Sequence, residues 1–294
     1  MTTKATLRSL ISLAALVPGL ALNFPARAES TQAVTIRFAA KVGDQPFACG
    51  SNYPLGKQAT PQTLSDFRFY VSDLALIDAA GKTIPVTLAQ DGKWQYQTVA
   101  LLDFEDKTGA CANGTTEIRD RVTGSVPKGN YRGLKFTLGI PFALNHSDAA
   151  LARSPLNLTG LWWNWQLGYK FARIDLQSPA MQTMASQHQG HGAGFPIHLG
   201  STGCQSETSS EQPKSCNHPN RATVVLTGFN LNQNLVVADL ERLVAATDLT
   251  QNQAKTAPGC MSEPEDQDCL GIMAKLGLPF MNQPASSQTF FRVE

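Results

Sequence analysis

The sequence predicts an all-β fold: a single β-sandwich or jelly-roll-like domain with disulfide-bridged loops and few short helices. Three features lead there. Short segments alternate apolar and polar residues at period two. Gly, Asn, Asp or Pro bounds most of these segments. Helical periodicity is confined to two short stretches near the C-terminus.

Residues 1–28 read as an export signal. Lys4 and Arg8 give a positive start, residues 10–22 are apolar but for an interruption at Pro18, and Ala26-Arg27-Ala28 is a cleavage site of the A-x-A type. The apolar run is too short to span a bilayer, and no later stretch is apolar enough to do so. The mature chain is then expected to be residues 29–294, exported to a periplasm. It carries 21 basic and 23 acidic residues, a net −2, which leaves no electrostatic footprint for nucleic acid or an anionic membrane. Its 266 residues exceed the roughly 150 of an average domain. All-β sandwiches reach this length as one domain, and neither linker nor repeat interrupts the chain.

The first strand is expected at 34–38 (Val-Thr-Ile-Arg-Phe) and the next at 67–71 (Phe-Arg-Phe-Tyr-Val), both alternating. Asp78-Ala79-Ala80-Gly81-Lys82 reads as a hairpin connection with a glycine near its end. Further strands follow at 83–88, 97–104, 121–126, 133–140, 169–176, 222–229 and 234–237, rich in β-branched and aromatic residues. The helices are 239–246, with Asp239 as cap and Leu240, Leu243 and Val244 on one face, and 270–276, stopped by Gly277. Segments 187–194 (Gly- and His-rich) and 205–219 (polar, Ser-rich) read as loops.

Cys49, Cys111, Cys204, Cys216, Cys260 and Cys269 make an even set in an exported chain, which favours disulfides over thiolate ligands. Six cysteines allow 15 pairings and the sequence does not choose among them. Pairing of neighbours is the simplest expectation. No pair has CxxC spacing, which argues against a zinc ribbon or a thioredoxin-type motif.

Three of the four tryptophans, Trp162, Trp163 and Trp165, fall within four residues. On a strand, Trp163 and Trp165 share one face and Trp162 and Asn164 the other. A single Trp is most often a core aromatic, but packing does not require three together. Imidazole is a natural ligand for copper or zinc. His146 and His198 stand at the ends of expected strands, whereas His188 and His191 lie three apart in the Gly-rich tract and His218 sits beside Pro219. Met181, Met184, Met261, Met273 and Met281 form no Met-rich tract and read as packing residues. Two other readings deserve a test. The indoles can form a stacking platform of a carbohydrate- or surface-binding module, which predicts exposed, coplanar rings. Asp103 and Glu105 can form a hydrolase carboxylate pair, which predicts a cleft around them.

At several ordered motifs the chain resembles the MbnP-like periplasmic copper-binding family, the four-Cys-motif member of the metallo-mystery pair system. The motifs are Cys49-Gly50, Asp66-Phe67-Arg68-Phe69-Tyr70-Val71-Ser72, Leu101-Leu102-Asp103-Phe104-Glu105 and Cys111. They continue with Phe136-Thr137-Leu138-Gly139-Ile140-Pro141, Leu144-Asn145-His146 and Trp163-Asn164-Trp165-Gln166. His198-Leu199-Gly200-Ser201-Thr202-Gly203-Cys204, Cys216, Gly259-Cys260-Met261-Ser262 and Cys269 complete them. The resemblance implies a non-catalytic metal-handling protein with copper as its cofactor. It also implies a partner, a di-haem enzyme of the MauG or cytochrome c peroxidase type, that oxidises a tryptophan to kynurenine. Trp163 and Trp165 match the family positions for the modified residue. His146 and His198 match as copper ligands, and His188 and His191 add further candidates.

Overall fold

The computed structural model describes Met1, residues 30–178, Met181, residues 194–208 and residues 211–294. Beyond Met1 the expected export signal lies outside the described residues, as do Met184, His188 and His191.

Strand Thr31–Val42 buries every second residue from Val34 to Val42, so the alternation seen at 34–38 marks a sheet with one face on the core. Arg121–Pro127 pairs with it antiparallel and Val236–Asp239 parallel. Thr87–Leu88 and Phe291–Val293 complete the long edges of this first sheet.

The second sheet is built on the 19-residue strand Thr60–Asp78. Ala172–Gln177, Tyr131–Leu138, Val99–Asp103, Asn52–Leu55 and Thr83–Pro85 all pair with it. Gly194–Leu199 and Ala222–Thr227 lie outermost. The two sheets meet in an aromatic core: Phe38 of the first touches Phe69 and Phe136 of the second edge-on, with ring centroids 6.3 and 5.7 Å apart. Phe290 and Phe291 fill the space beside them. Such geometry is the favoured one for aromatic pairs, and the fold is the all-β sandwich expected.

The other face of the second sheet is also covered. Phe67, Arg68, Phe69, Tyr70 and Val71 are all buried, so the polar residues of the alternation point under a layer of loops rather than into water. Cross-strand pairing puts His198 opposite Arg173, Arg173 opposite Arg68 and Arg68 opposite Asp103, one row of side chains across four strands. Asp66 and Asp175 form the next row.

Asp239 caps helix Leu240–Val244 by accepting from the Arg242 N–H, and Gly277, at φ +77°, follows helix Leu270–Lys275. The Asp78–Lys82 connection is closed by Asp78 Oδ1, which accepts from the N–H groups of Ala80 and Lys82. Disulfides join Cys49 to Cys111, Cys204 to Cys216 and Cys260 to Cys269, so neighbours pair.

Other expectations need correction. Segment 205–219 is no plain loop: Thr202–Gln205 and Ser215–His218 form a hairpin with Cys204 directly opposite Cys216. The expected strand 169–176 is broken at Lys170–Phe171 into Gly168–Tyr169 and Ala172–Gln177. Strand Gly194–Leu199 begins inside the glycine-rich tract and holds Pro196, which an outermost strand tolerates.

Candidate metal centre and tryptophan hairpin

Trp162–Asn164 is a three-residue strand paired with Gly168–Tyr169. Trp165 lies in the turn, where the Asn164 side chain accepts from the Leu167 N–H. The strand-face expectation therefore fails at Trp165, because the chain turns one residue too soon. All three indoles are half-buried. Trp163 rests on the bare Cα of Gly200: a Cβ there would stand 2.3 Å from its Cζ3. Lys170 Nζ sits 6.0 Å from the Trp163 ring centre. Burial and the nearby Arg173 charge depress Lys170 to about 8. Trp162 packs on the core, and its Nε1 is buried with no hydrogen-bond partner among the described residues.

His198 is 7% exposed. Its Nε2–H donates to Asp175 Oδ1 at 2.7 Å, which leaves Nδ1 as the ring's lone-pair nitrogen. Asp175 also accepts from Arg173 Nε at 2.8 Å, and Arg173 in turn pairs with Asp66. Burial pushes Asp175 up, but the His198 hydrogen bond and the His198 and Arg173 charges outweigh it and hold the carboxyl at about 2. Burial lowers His198 more than Asp175 raises it, so the imidazole is neutral at pH 7. His198, Asp175, Ser65, Asn113 and Met261 line one cleft of about 510 Å³. A neutral imidazole oriented by a carboxylate is how proteins hold a metal-ligating histidine, and imidazole with thioether suits copper. The donors present fit the implied metal.

His146 is 4% exposed and lies in a different environment. Its Nδ1–H donates to the Trp165 carbonyl at 3.0 Å, so Nε2 carries the lone pair. Asn145 Nδ2 lies 3.3 Å from Nε2 and Cys216 Sγ 3.5 Å. Burial lowers the His146 pKa against the backbone hydrogen bonds of Trp165 and Gln166. Among the described residues, His146, Cys204 and Cys216 are the group whose possible ligand atoms cluster within 4.8 Å. Both sulfurs are tied in a disulfide, so neither is a thiolate ligand in this state. His198 is not in that group. The two histidine environments meet at Gly200–Ser201: the segment follows Leu199, and Asn145 Nδ2 donates to Ser201 Oγ at 3.4 Å.

Met261 and Asp175 were not singled out as ligand or orienting residue. The Cys260–Cys269 loop brings Met261 to His198, since His198 N–H donates to the Cys260 carbonyl, and no spacing rule anticipates that. His218 is exposed on its hairpin strand.

Asp103 and Glu105 are both 0% exposed. Glu105 accepts from the N–H groups of Lys107 and Thr115, and Asp103 from that of Glu105. They stitch a loop together, and among the described residues neither carboxylate is open to solvent as a hydrolase would need. The half-buried indoles likewise lack the exposed rings of a stacking platform.

The MbnP family model matches residues 31–262. Among solved structures, MbnP from Methylosinus trichosporium is similar with a TM-score of 0.78 and 31% sequence identity, over 90% of this chain and 98% of that one. No curated protein matches. With the family's model spanning most of the chain and its fold shared over nine-tenths of it, this chain belongs to the MbnP family.

Proposed function

We propose that this chain is an exported, non-catalytic copper-binding protein of the periplasm. We further propose that Trp163 or Trp165 is oxidised to kynurenine by a di-haem partner of the MauG or cytochrome c peroxidase type. The observation that carries the reading is Trp163 packed on Gly200, two residues from a neutral His198 that Asp175 holds in a cleft with Met261. Indole is a poor ligand, whereas kynurenine offers a ketone oxygen and an aryl amine. His198 and Met261 are the donors there, and His146 is the second imidazole. Bound copper would supply a soft Lewis-acid centre; the chain's part is to orient the imidazole, keep it unprotonated and shield it from water. The test is intact mass and peptide mapping of the protein purified from its native periplasm, with metal analysis of the same sample. A peptide spanning 160–170 that has gained one oxygen and lost one carbon, in copper-loaded protein, supports the full reading. Unmodified tryptophan with stoichiometric copper removes the maturation step. Absence of both from copper-replete cells overturns the reading.

A further inference from the structure

The disulfide beside His146, Cys204–Cys216, has a chemistry that the copper reading does not use. Cys204 and Cys216 face each other across the hairpin Thr202–Gln205/Ser215–His218, with Cα atoms 3.8 Å apart. Both residues are half-buried, whereas Cys111, Cys260 and Cys269 are fully buried. This disulfide is therefore the one most open to exchange with a small dithiol. The Cys216 sulfur lies 3.5 Å from His146 Nε2. That nitrogen carries the ring's lone pair because Nδ1–H donates to the Trp165 carbonyl. A carbonyl partner on the second ring nitrogen is the usual way a ligating histidine is fixed in its tautomer and orientation.

We propose that Cys204–Cys216 is the closed form of a second metal site, and that on reduction the two thiolates and His146 Nε2 bind one thiophilic d10 cation, Cu(I) or Zn(II). The electron count is simple. A dithiol donor passes two electrons and two protons to the disulfide and becomes a disulfide itself. The S–S bond breaks and two thiols form. Each thiol releases its proton when the metal binds. Return to the closed form expels the ion and needs a disulfide oxidant to take the two electrons back. Thiolate bonds of about 2.3 Å at tetrahedral angles place two sulfurs some 3.7 Å apart. Side-chain rotation reaches that spacing from cysteines already opposite each other. The hairpin ladder and the Asn145 hydrogen bond to the Tyr169 N–H, at 3.0 Å, do not depend on the disulfide. The frame that presents the three donors therefore survives its reduction. Asn145 Nδ2 also has Ser201 Oγ as a partner at 3.4 Å, so it can release Nε2 to a metal.

The experiment uses the full mature protein, oxidised or reduced with a phosphine under argon, titrated with Zn(II) or with Cu(I) against a chromogenic chelator and read by native mass spectrometry. The reduced protein is expected to take up one more equivalent than the oxidised protein. That extra ion should protect Cys204 and Cys216 from alkylation by iodoacetamide. His146→Ala should weaken it at least tenfold, and a Cys204→Ser, Cys216→Ser pair should abolish it. Cobalt(II) added to the reduced wild type should show thiolate-to-metal charge transfer, a readout that needs no variant to fold. No additional equivalent, or one that leaves both cysteines open to alkylation, overturns the proposal. Preference for Zn(II) over Cu(I), or the reverse, identifies the ion. Copper bound by the oxidised protein tests the reading of the preceding subsection instead, so the two fail separately.

Discussion

A methyl group on Gly200 would press on Trp163 at 2.3 Å and on the Tyr169 carbonyl at 2.9 Å. Gly200→Ala should therefore cost about 1–3 kcal/mol and shift tryptophan emission to the red as the indole leaves its seat. An unchanged spectrum and melting point would show that Trp163 does not rest there. Asp175 acts on any bound copper through His198. Asp175→Asn is expected to lower copper affinity roughly 10–100-fold in a chelator competition, with the circular dichroism spectrum intact. The pH response of the pair follows from the Asp175 carboxyl at about 2. Its folded pKa is below the ordinary 3.8, so its stabilising contribution is complete above that value and is lost as pH falls through about 2. Asp103 has the opposite sign. Burial, against the Arg68 charge, raises it to about 8, and its Oδ2 has no partner among the described residues. Its contribution is complete below pH 3.8 and erodes as pH rises towards 8. The melting temperature of the wild type should therefore fall between pH 5 and pH 9 more steeply than that of Asp103→Asn. Equal slopes would place the titration elsewhere.

The disulfides tie loops of different size to the sandwich. In the loop-entropy account, Cys49–Cys111, spanning 62 residues, stabilises by roughly 4 kcal/mol, and the nine-residue Cys260–Cys269 loop by roughly 3 kcal/mol. Paired serine variants compared by urea denaturation should keep that order. Most elements were legible because their signals are local. Period-two alternation marked strands such as Thr31–Val42, and Asp239 and Gly277 marked helix ends. Elements defined by a partner rather than by their own pattern were missed. Thr202–Gln205 and Ser215–His218 are polar on most positions and are strands because each finds its backbone partner across the hairpin. Trp165 falls in a turn that nothing in Trp-Asn-Trp-Gln marks, because the turn depends on Asn164 capping Leu167. At the site, His146 and His198 were visible as residues. Their separate surroundings, one beside a disulfide and one beside Asp175 and Met261, arise from tertiary contacts between residues 23 to 70 apart in the chain.

The fold extends past the stretch that the MbnP family model matches, residues 31–262. Phe290 and Phe291 are 0% and 3% exposed and lie in the aromatic core, and Phe291–Val293 pairs with Val236–Asp239. Each buried Phe is worth about 3–5 kcal/mol against Ala. The total stability of a domain is about 5–15 kcal/mol. Removal of residues 289–294 should therefore abolish cooperative unfolding in calorimetry; a truncated chain with a sharp transition near that of the wild type would show the segment to be dispensable. The parallel pairing of Thr31–Val42 with Val236–Asp239 has a consequence for how the chain is delivered. Opposite ends of the chain complete the first sheet together, so a polypeptide threaded N-terminus first through a pore cannot close it until residue 239 has arrived. Long-range pairing of this kind is slow to form. For the export proposed above, that delay would favour translocation, because the leading segment stays unlocked and can be pulled through while the rest of the chain is still on the other side.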